Sequence, residues 1–168
     1  MANRLPVIFL GMNRMLLEKI LVATDFSETS YSALSCVREL RDAGCNEVIL
    51  VHVLEAEEME EVLAEPSGGD DPSGEYERQI AGRKVHNAQQ QLKSIQILLE
   101  QEHFQVRTFL VTGDPSKEIN RIADAEGAGM IVIGSHGRTN LLHRLMGSVS
   151  LLVIQNATRP VLVVRRPG

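Results

Sequence analysis

From Lys19 to Val164 the chain alternates short, almost wholly apolar runs with longer stretches whose apolar residues recur every three or four positions. The first pattern predicts strands and the second amphipathic helices. Five runs read as strands: Lys19–Thr24 (KILVAT), Glu47–Val53 (EVILVHV), Val106–Val111, Met130–Ile133 (MIVI) and Val161–Val164 (VLVV), the last opened by Pro160. Four helices fall between them. The first follows Ser27, placed as an N-cap with Glu28 in the first turn, carries Ala33, Leu34, Val37 and Leu40, and stops at Gly44. The second is marked by Val85, Ala88, Leu92, Ile95 and Leu99. Gly113-Asp114-Pro115 supplies a turn, a cap and a proline at the first position of the third, whose inner face is Ile119, Ile122 and Ala123. Val149, Leu152 and Val153 line one side of the fourth. Strict alternation of strand and helix implies βαβ units and a parallel sheet. MIVI is apolar on both faces and belongs at the centre of that sheet, whereas Arg107 among apolar neighbours suits an edge strand.

The alternation uses the chain from about residue 15 to its end, which gives one α/β domain over 15–168 and an N-terminal extension over 1–14. Leu5–Leu10 within the extension is apolar but too short to span a bilayer. One stretch breaks the pattern. Glu55–Glu77 holds ten of the 22 acidic residues, no Lys or Arg, and Pro66, Gly68, Gly69, Pro72 and Gly74. It reads as an acidic mobile loop over about 55–78. The rest of the chain carries 17 basic residues against 12 acidic ones, a mildly basic body compatible with an anionic small ligand. The net charge of -5 argues against a nucleic-acid partner. Cys36 and Cys45 lack the short spacing of metal or redox sites and read as thiols in a reducing compartment. A cytoplasmic protein without a membrane partner is expected.

Candidate chemistry is concentrated in one segment. Gly134-Ser135-His136-Gly137 is followed, after nine residues, by Gly147-Ser148-Val149-Ser150, in the form G-x2-G-x9-G-[ST]. It starts at the carboxyl end of the central strand and ends at the start of a helix. Ligands of open parallel sheets bind beyond the carboxyl ends of strands, where the strand order reverses. Glycines allow close backbone approach, and a helix N-terminus with free N–H groups and a positive dipole end suits phosphate. Asp25 follows the first strand on the same side of the sheet. Asp114 reads as a cap, His52 as a packing residue, and Gly127 and Gly129 as turn glycines at the opposite end. Arg138 and Arg144 lie inside the glycine segment and either add positive potential or are solvated. There is no G-x-x-x-x-G-K-[ST] and no G-x-G-x-x-G after a strand, so P-loop and dinucleotide readings fail. No carboxylate in the glycine segment is placed to orient a water, which favours binding over turnover.

The segments Lys19–Ser27 (KILVATDFS), Val51-His52-Val53, Gly113-Asp114-Pro115 and the glycine motif stand in the order found in universal stress proteins, and the chain resembles the ATP-binding branch of that family over residues 19–165. The long acidic stretch and the N-terminal extension depart from the family pattern. The resemblance implies a doubly wound adenine nucleotide alpha hydrolase-like fold, with a five-stranded parallel sheet in the order 3-2-1-4-5 and four helices. It implies an adenine nucleotide site built from Ala23, Thr24 and Asp25 near the ribose and adenine, and the Val53 backbone at the adenine edge. Gly134, Ser135, His136 and Gly137 would line the ribose and phosphates, and Gly147, Ser148, Val149 and Ser150 would hold the phosphates. ATP would arrive with Mg²⁺ or Mn²⁺ on its phosphates. The function implied is a nucleotide-dependent stress or signalling module with slow ATP hydrolysis at most; a genuine ATPase, and a partner-binding member taking AMP or another nucleotide, are the alternatives. A homodimer is expected through Val161–Val164, because an apolar edge strand tends to be covered by pairing and similar family members pair there.

Overall fold

A computed structural model describes residues 16–56, 72–136 and 146–165, with side chains from residue 79 onward in the second segment. Nine elements alternate along the chain: β1 (Lys19–Ala23), α1 (Glu28–Glu39), β2 (Glu47–Glu55), α2 (Pro72–Gln101), β3 (Gln105–Gly113), α3 (Pro115–Ala125), β4 (Met130–Gly134), α4 (Ser148–Asn156) and β5 (Val161–Val164). The five strands form one parallel sheet in the order β3-β2-β1-β4-β5, as the resemblance implies. Leu21 pairs with Ile49 on one side and with Ile131 on the other, so β1 occupies the middle of the sheet.

Side chains alternate between the two faces of a strand, and each face here is covered by its own pair of helices. Ile20, Val22, Val48, Leu50 and Val132 pack with Ala33, Leu34 and Val37 of α1 and Leu92, Ile95 and Leu99 of α2. Leu21, Ile49, Val51, Ile131 and Ile133 pack with Ile119, Ile122 and Ala123 of α3 and Val153 of α4. Burial on both faces explains why KILVA and MIVI are apolar without alternation. Cys45 belongs to the first of these clusters, and burial pushes its thiol up to about 11, so it is a neutral packing group.

The helix starts follow from their caps. Ser27 Oγ accepts from Ser30 N at 3.3 Å at the start of α1. Asp114 accepts from Ser116 N at 2.8 Å and Lys117 N at 3.2 Å, and Pro115 takes the first helical position of α3. The loop expected over about 55–78 is shorter than its composition suggests. Glu55 still belongs to β2, and α2 already begins at Pro72. Proline is favoured at a first helical position, and Glu75 and Glu77 are good helix formers near a positive dipole end. Residues 57–71 and the extension expected over 1–14 lie outside the described residues.

At the end where the strands begin, charge is paired across the sheet. Glu47 receives Lys19 Nζ at 3.1 Å and Arg107 Nη2 at 2.7 Å, and Arg107 also pairs with Glu126. Arg107 is therefore the edge-strand residue its sequence context suggested, tied to β2 and to the end of α3.

Hydrogen bonds from Ser116 and Lys117 hold the Asp114 carboxyl below its ordinary value of 3.8. A depressed carboxyl contributes stability above its unfolded pKa and loses it as pH falls through the folded one. Asp114→Ala is expected to lower the unfolding free energy by about 1 kcal/mol at neutral pH. Urea melts repeated at falling pH should show the difference from wild type shrinking below 3.8.

Candidate functional site

A cleft of about 570 Å³ opens beyond the carboxyl ends of β1, β2 and β4. Its size is that of a small-molecule site. Ala23, Thr24 and Asp25 line it from the end of β1, Val53 from β2, and Gly134 and His136 from the end of β4. Gly147, Ser148, Val149 and Ser150 close it from the start of α4. Ten of the twelve residues singled out in the sequence thus meet at one opening. Ser135 is buried behind it, and Gly137, with Arg138 and Arg144, lies outside the described residues.

The corner from β1 into α1 is tightly organised. Asp25 Oδ1 accepts from Ser27 N at 3.1 Å and Ser27 Oγ at 2.6 Å, so this carboxylate shapes the corner as well as facing the cleft. Thr24 Oγ1 accepts from Phe26 N at 3.1 Å and donates to Ser30 Oγ at 3.1 Å. Phe26 itself has φ +62°. The left-handed region costs a bulky residue about 1–2 kcal/mol, so the surrounding contacts must hold it there.

The opposite wall is built around Ser135. Its carbonyl accepts from Gly147 N at 2.8 Å and from Ser150 Oγ at 3.1 Å, which clasps the start of α4 to the end of β4. Its hydroxyl meets His136 Nδ1 at 2.9 Å, while His136 Nε2 is buried and has no hydrogen-bond partner among the described residues. Unlike α1 and α3, whose first turns are capped by Ser27 and Asp114, α4 begins at Gly147 with no side-chain cap. The first amides of a helix have no partner within it, and Ser148 and Val149, which carry two of them, both line the cleft. An anion would satisfy them with the dipole in its favour.

Gly134 has a packing reason for its identity. A Cβ there would lie 3.0 Å from Thr29 Cγ2 and 3.1 Å from the Thr29 carbonyl carbon, so the first turn of α1 rests directly on β4. At Gly147 the nearest atom to a Cβ would be Ser135 O, at 3.4 Å, an ordinary contact.

Several cleft residues were not singled out. Lys84, Asn87 and Gln91 of α2 form a polar stripe along one wall, and Pro115 and Ile119 of α3 contribute apolar surface. Positions 84, 87 and 91 share a helix face by spacing, yet nothing in the sequence tells which face meets the cleft. His52 is buried, as expected of a packing residue, but it also lines the cleft. Among the described residues no group of three His, Cys, Asp or Glu side chains converges as a metal site. No helix among them is long and apolar enough to cross a membrane.

Comparison with known proteins agrees with this fold. Residues 17–165 match the model of the universal stress protein family. The chain is 38% identical over 154 residues to universal stress protein MJ0577 of Methanocaldococcus jannaschii, covering 89% of this chain and 95% of that one. The solved structure of MJ0577 superposes with a TM-score of 0.79 at 37% identity, over 91% of this chain and 99% of the other. The universal stress protein of Archaeoglobus fulgidus in complex with dAMP superposes with a TM-score of 0.55 at 25% identity, over 89% and 98% of the two chains.

Gly134→Ala should destabilise the protein by about 1–3 kcal/mol, the usual cost of overpacking, while Gly147→Ala costs less. Paired thermal melts of the two variants check this; equal losses would remove the packing reason given for Gly134.

Proposed function

The chain belongs to the universal stress protein family, and we propose that it is an adenine nucleotide-binding member acting as a stress or signalling module. The observation that carries the reading is the start of α4, which has no side-chain cap and whose first residues, Gly147 to Ser150, line a ligand-sized cleft. A polyphosphate fits there because the amides supply donors and the dipole supplies positive potential. Ala23, Val51, Val53 and Ile133 give apolar surface for a base at the strand ends, and Asp25, on the same cleft, is the residue proposed to meet the ribose hydroxyls. The A. fulgidus relative is in complex with dAMP, which supports a nucleotide as the class of ligand.

In this reading ATP is the ligand, and Mg²⁺ or Mn²⁺ comes with it, bridging phosphate oxygens. Ser148 and Ser150 differ in role. Ser148 is exposed and free to donate to a phosphate, whereas Ser150 Oγ is bonded to Ser135 O and to Gly147 O at 2.9 Å and shapes the turn. Hydrolysis is slow or partner-dependent, because no described side chain at the α4 wall is a carboxylate able to orient a water. AMP or a cyclic nucleotide is the competing ligand, since a smaller anion satisfies the same amides.

A homodimer through β5 belongs to the same proposal. Val161–Val164 is an edge strand and only half-buried in the single chain, and α4 just before it exposes Leu151 and Leu152. A second copy pairing along β5 would cover this edge. Light scattering is expected to give twice the 18.6 kDa chain mass, and a monomer at working concentration removes the dimer.

Calorimetric titration of Mg-ATP, AMP and cyclic AMP into nucleotide-free protein tests the ligand. Mg-ATP should bind with Kd on the order of 1 μM, or about -8 kcal/mol. Gly147→Val, which crowds the start of α4, should abolish it. Stronger binding of AMP would replace the ligand, and no heat from any of the three at millimolar concentration would overturn the nucleotide reading.

A further inference from the structure

Resting on the nucleotide reading, we propose that His52 is a positioning residue of this site: its imidazole clamps the corner from β1 into α1 in the conformation that presents Thr24 and Asp25 to the ligand. The ring is buried near the carboxyl end of β2 and forms part of the cleft wall. Its Nδ1 lies 2.7 Å from the carbonyl oxygen of Thr24. A carbonyl only accepts, so Nδ1 carries the proton and donates. On its other side the ring meets Phe26, centroid to centroid at 4.4 Å and tilted by 40°. One imidazole thus grips both residues that flank Asp25.

The grip matters because of what it holds. Phe26 is left-handed at φ +62°, a conformation that a bulky side chain leaves unless neighbours oppose it. The local bonds, Phe26 N to Thr24 Oγ1 and Ser27 N to Asp25 Oδ1, all lie within the corner itself and move with it. The ladder bond from Thr24 N to Val51 O at 2.9 Å fixes only where the strand ends. Among the described residues, His52 reaches the corner from a different strand with both a hydrogen bond and a ring contact. The donor to the Thr24 carbonyl is the part of the grip that the corner needs, and an aliphatic residue at this strand position cannot supply it; the ring contact adds packing.

Two substitutions divide the roles. His52→Phe keeps a flat apolar ring and removes the donor. His52→Asn keeps a donor near the place of Nδ1 and removes the ring. Mg-ATP affinity is measured by calorimetry, and hydrogen exchange is followed at the amides of Phe26 and Ser27 and, as references, of Leu21, Val22 and Ile131. His52→Phe should weaken binding by about tenfold or more and speed exchange at Phe26 and Ser27 while the reference amides stay protected. His52→Asn should bind within about threefold of wild type. Unchanged affinity in His52→Phe overturns the proposal, and so does a loss accompanied by equal loosening of the reference amides, which marks a general packing role. Should the wild type bind no nucleotide, the nucleotide reading falls by itself, and exchange at Phe26 and Ser27 still decides whether His52 holds the corner.

Discussion

Strands β1 and β4 lie side by side in the sheet, yet the chain leaves them toward opposite faces. The helix after β1 packs with Ile20 and Val22, and the helix after β4 packs with Leu21 and Ile131. Two connections that diverge from neighbouring strands cannot fill the space between them. The cleft is the result of that topology: the diverging corners and the strand ends beneath them form its floor and rim, and α2 and α3 add to its walls. The left-handed Phe26, the clasp on the Ser135 carbonyl and the contact between Gly134 and Thr29 all build its rim.

The two ends of the sheet use polar groups differently. At the starting end, Lys19, Glu47, Arg107 and Glu126 satisfy one another. These pairs are partly exposed, and each contributes on the order of 0–1 kcal/mol. They leave no concentrated charge of one sign there. Beside the charged Asp25, Glu55 and Lys84 that also line the cleft, its α4 wall offers backbone N–H, an imidazole nitrogen and small hydroxyls. Such groups favour an anion by direction and desolvation more than by net charge, which suits a chain that is acidic as a whole.

Much of this was legible because it is local. Buried parallel strands leave continuous apolar runs, and Ser27, Asp114 and Pro115 mark helix starts through short-range bonds that any sequence reading can weigh. The glycine motif was legible because its spacing joins a strand end to a helix start. What escaped depends on placement. Lys84, Asn87 and Gln91 acquire meaning only once α2 is laid against the sheet, and polar residues on a helix carry no mark of the wall they face. His52 read as packing because alternation puts it inside, and the Thr24 carbonyl it serves lies 28 residues away. The start of α2 at Pro72 was hidden by composition: glycine, proline and acidic residues suggest a loop even where proline opens a helix.

The pairing of Leu21 with Ile131 also fixes an order of events in time. On a ribosome β1 and β2 emerge together and pair early, but the second flank of β1 stays open until β4 follows more than a hundred residues later. Contacts of such sequence separation form slowly and leave an apolar strand exposed meanwhile. The cleft therefore exists only in the nearly finished chain, and a nascent or truncated product presents a sticky sheet edge to the quality-control machinery before it presents a binding site to any ligand.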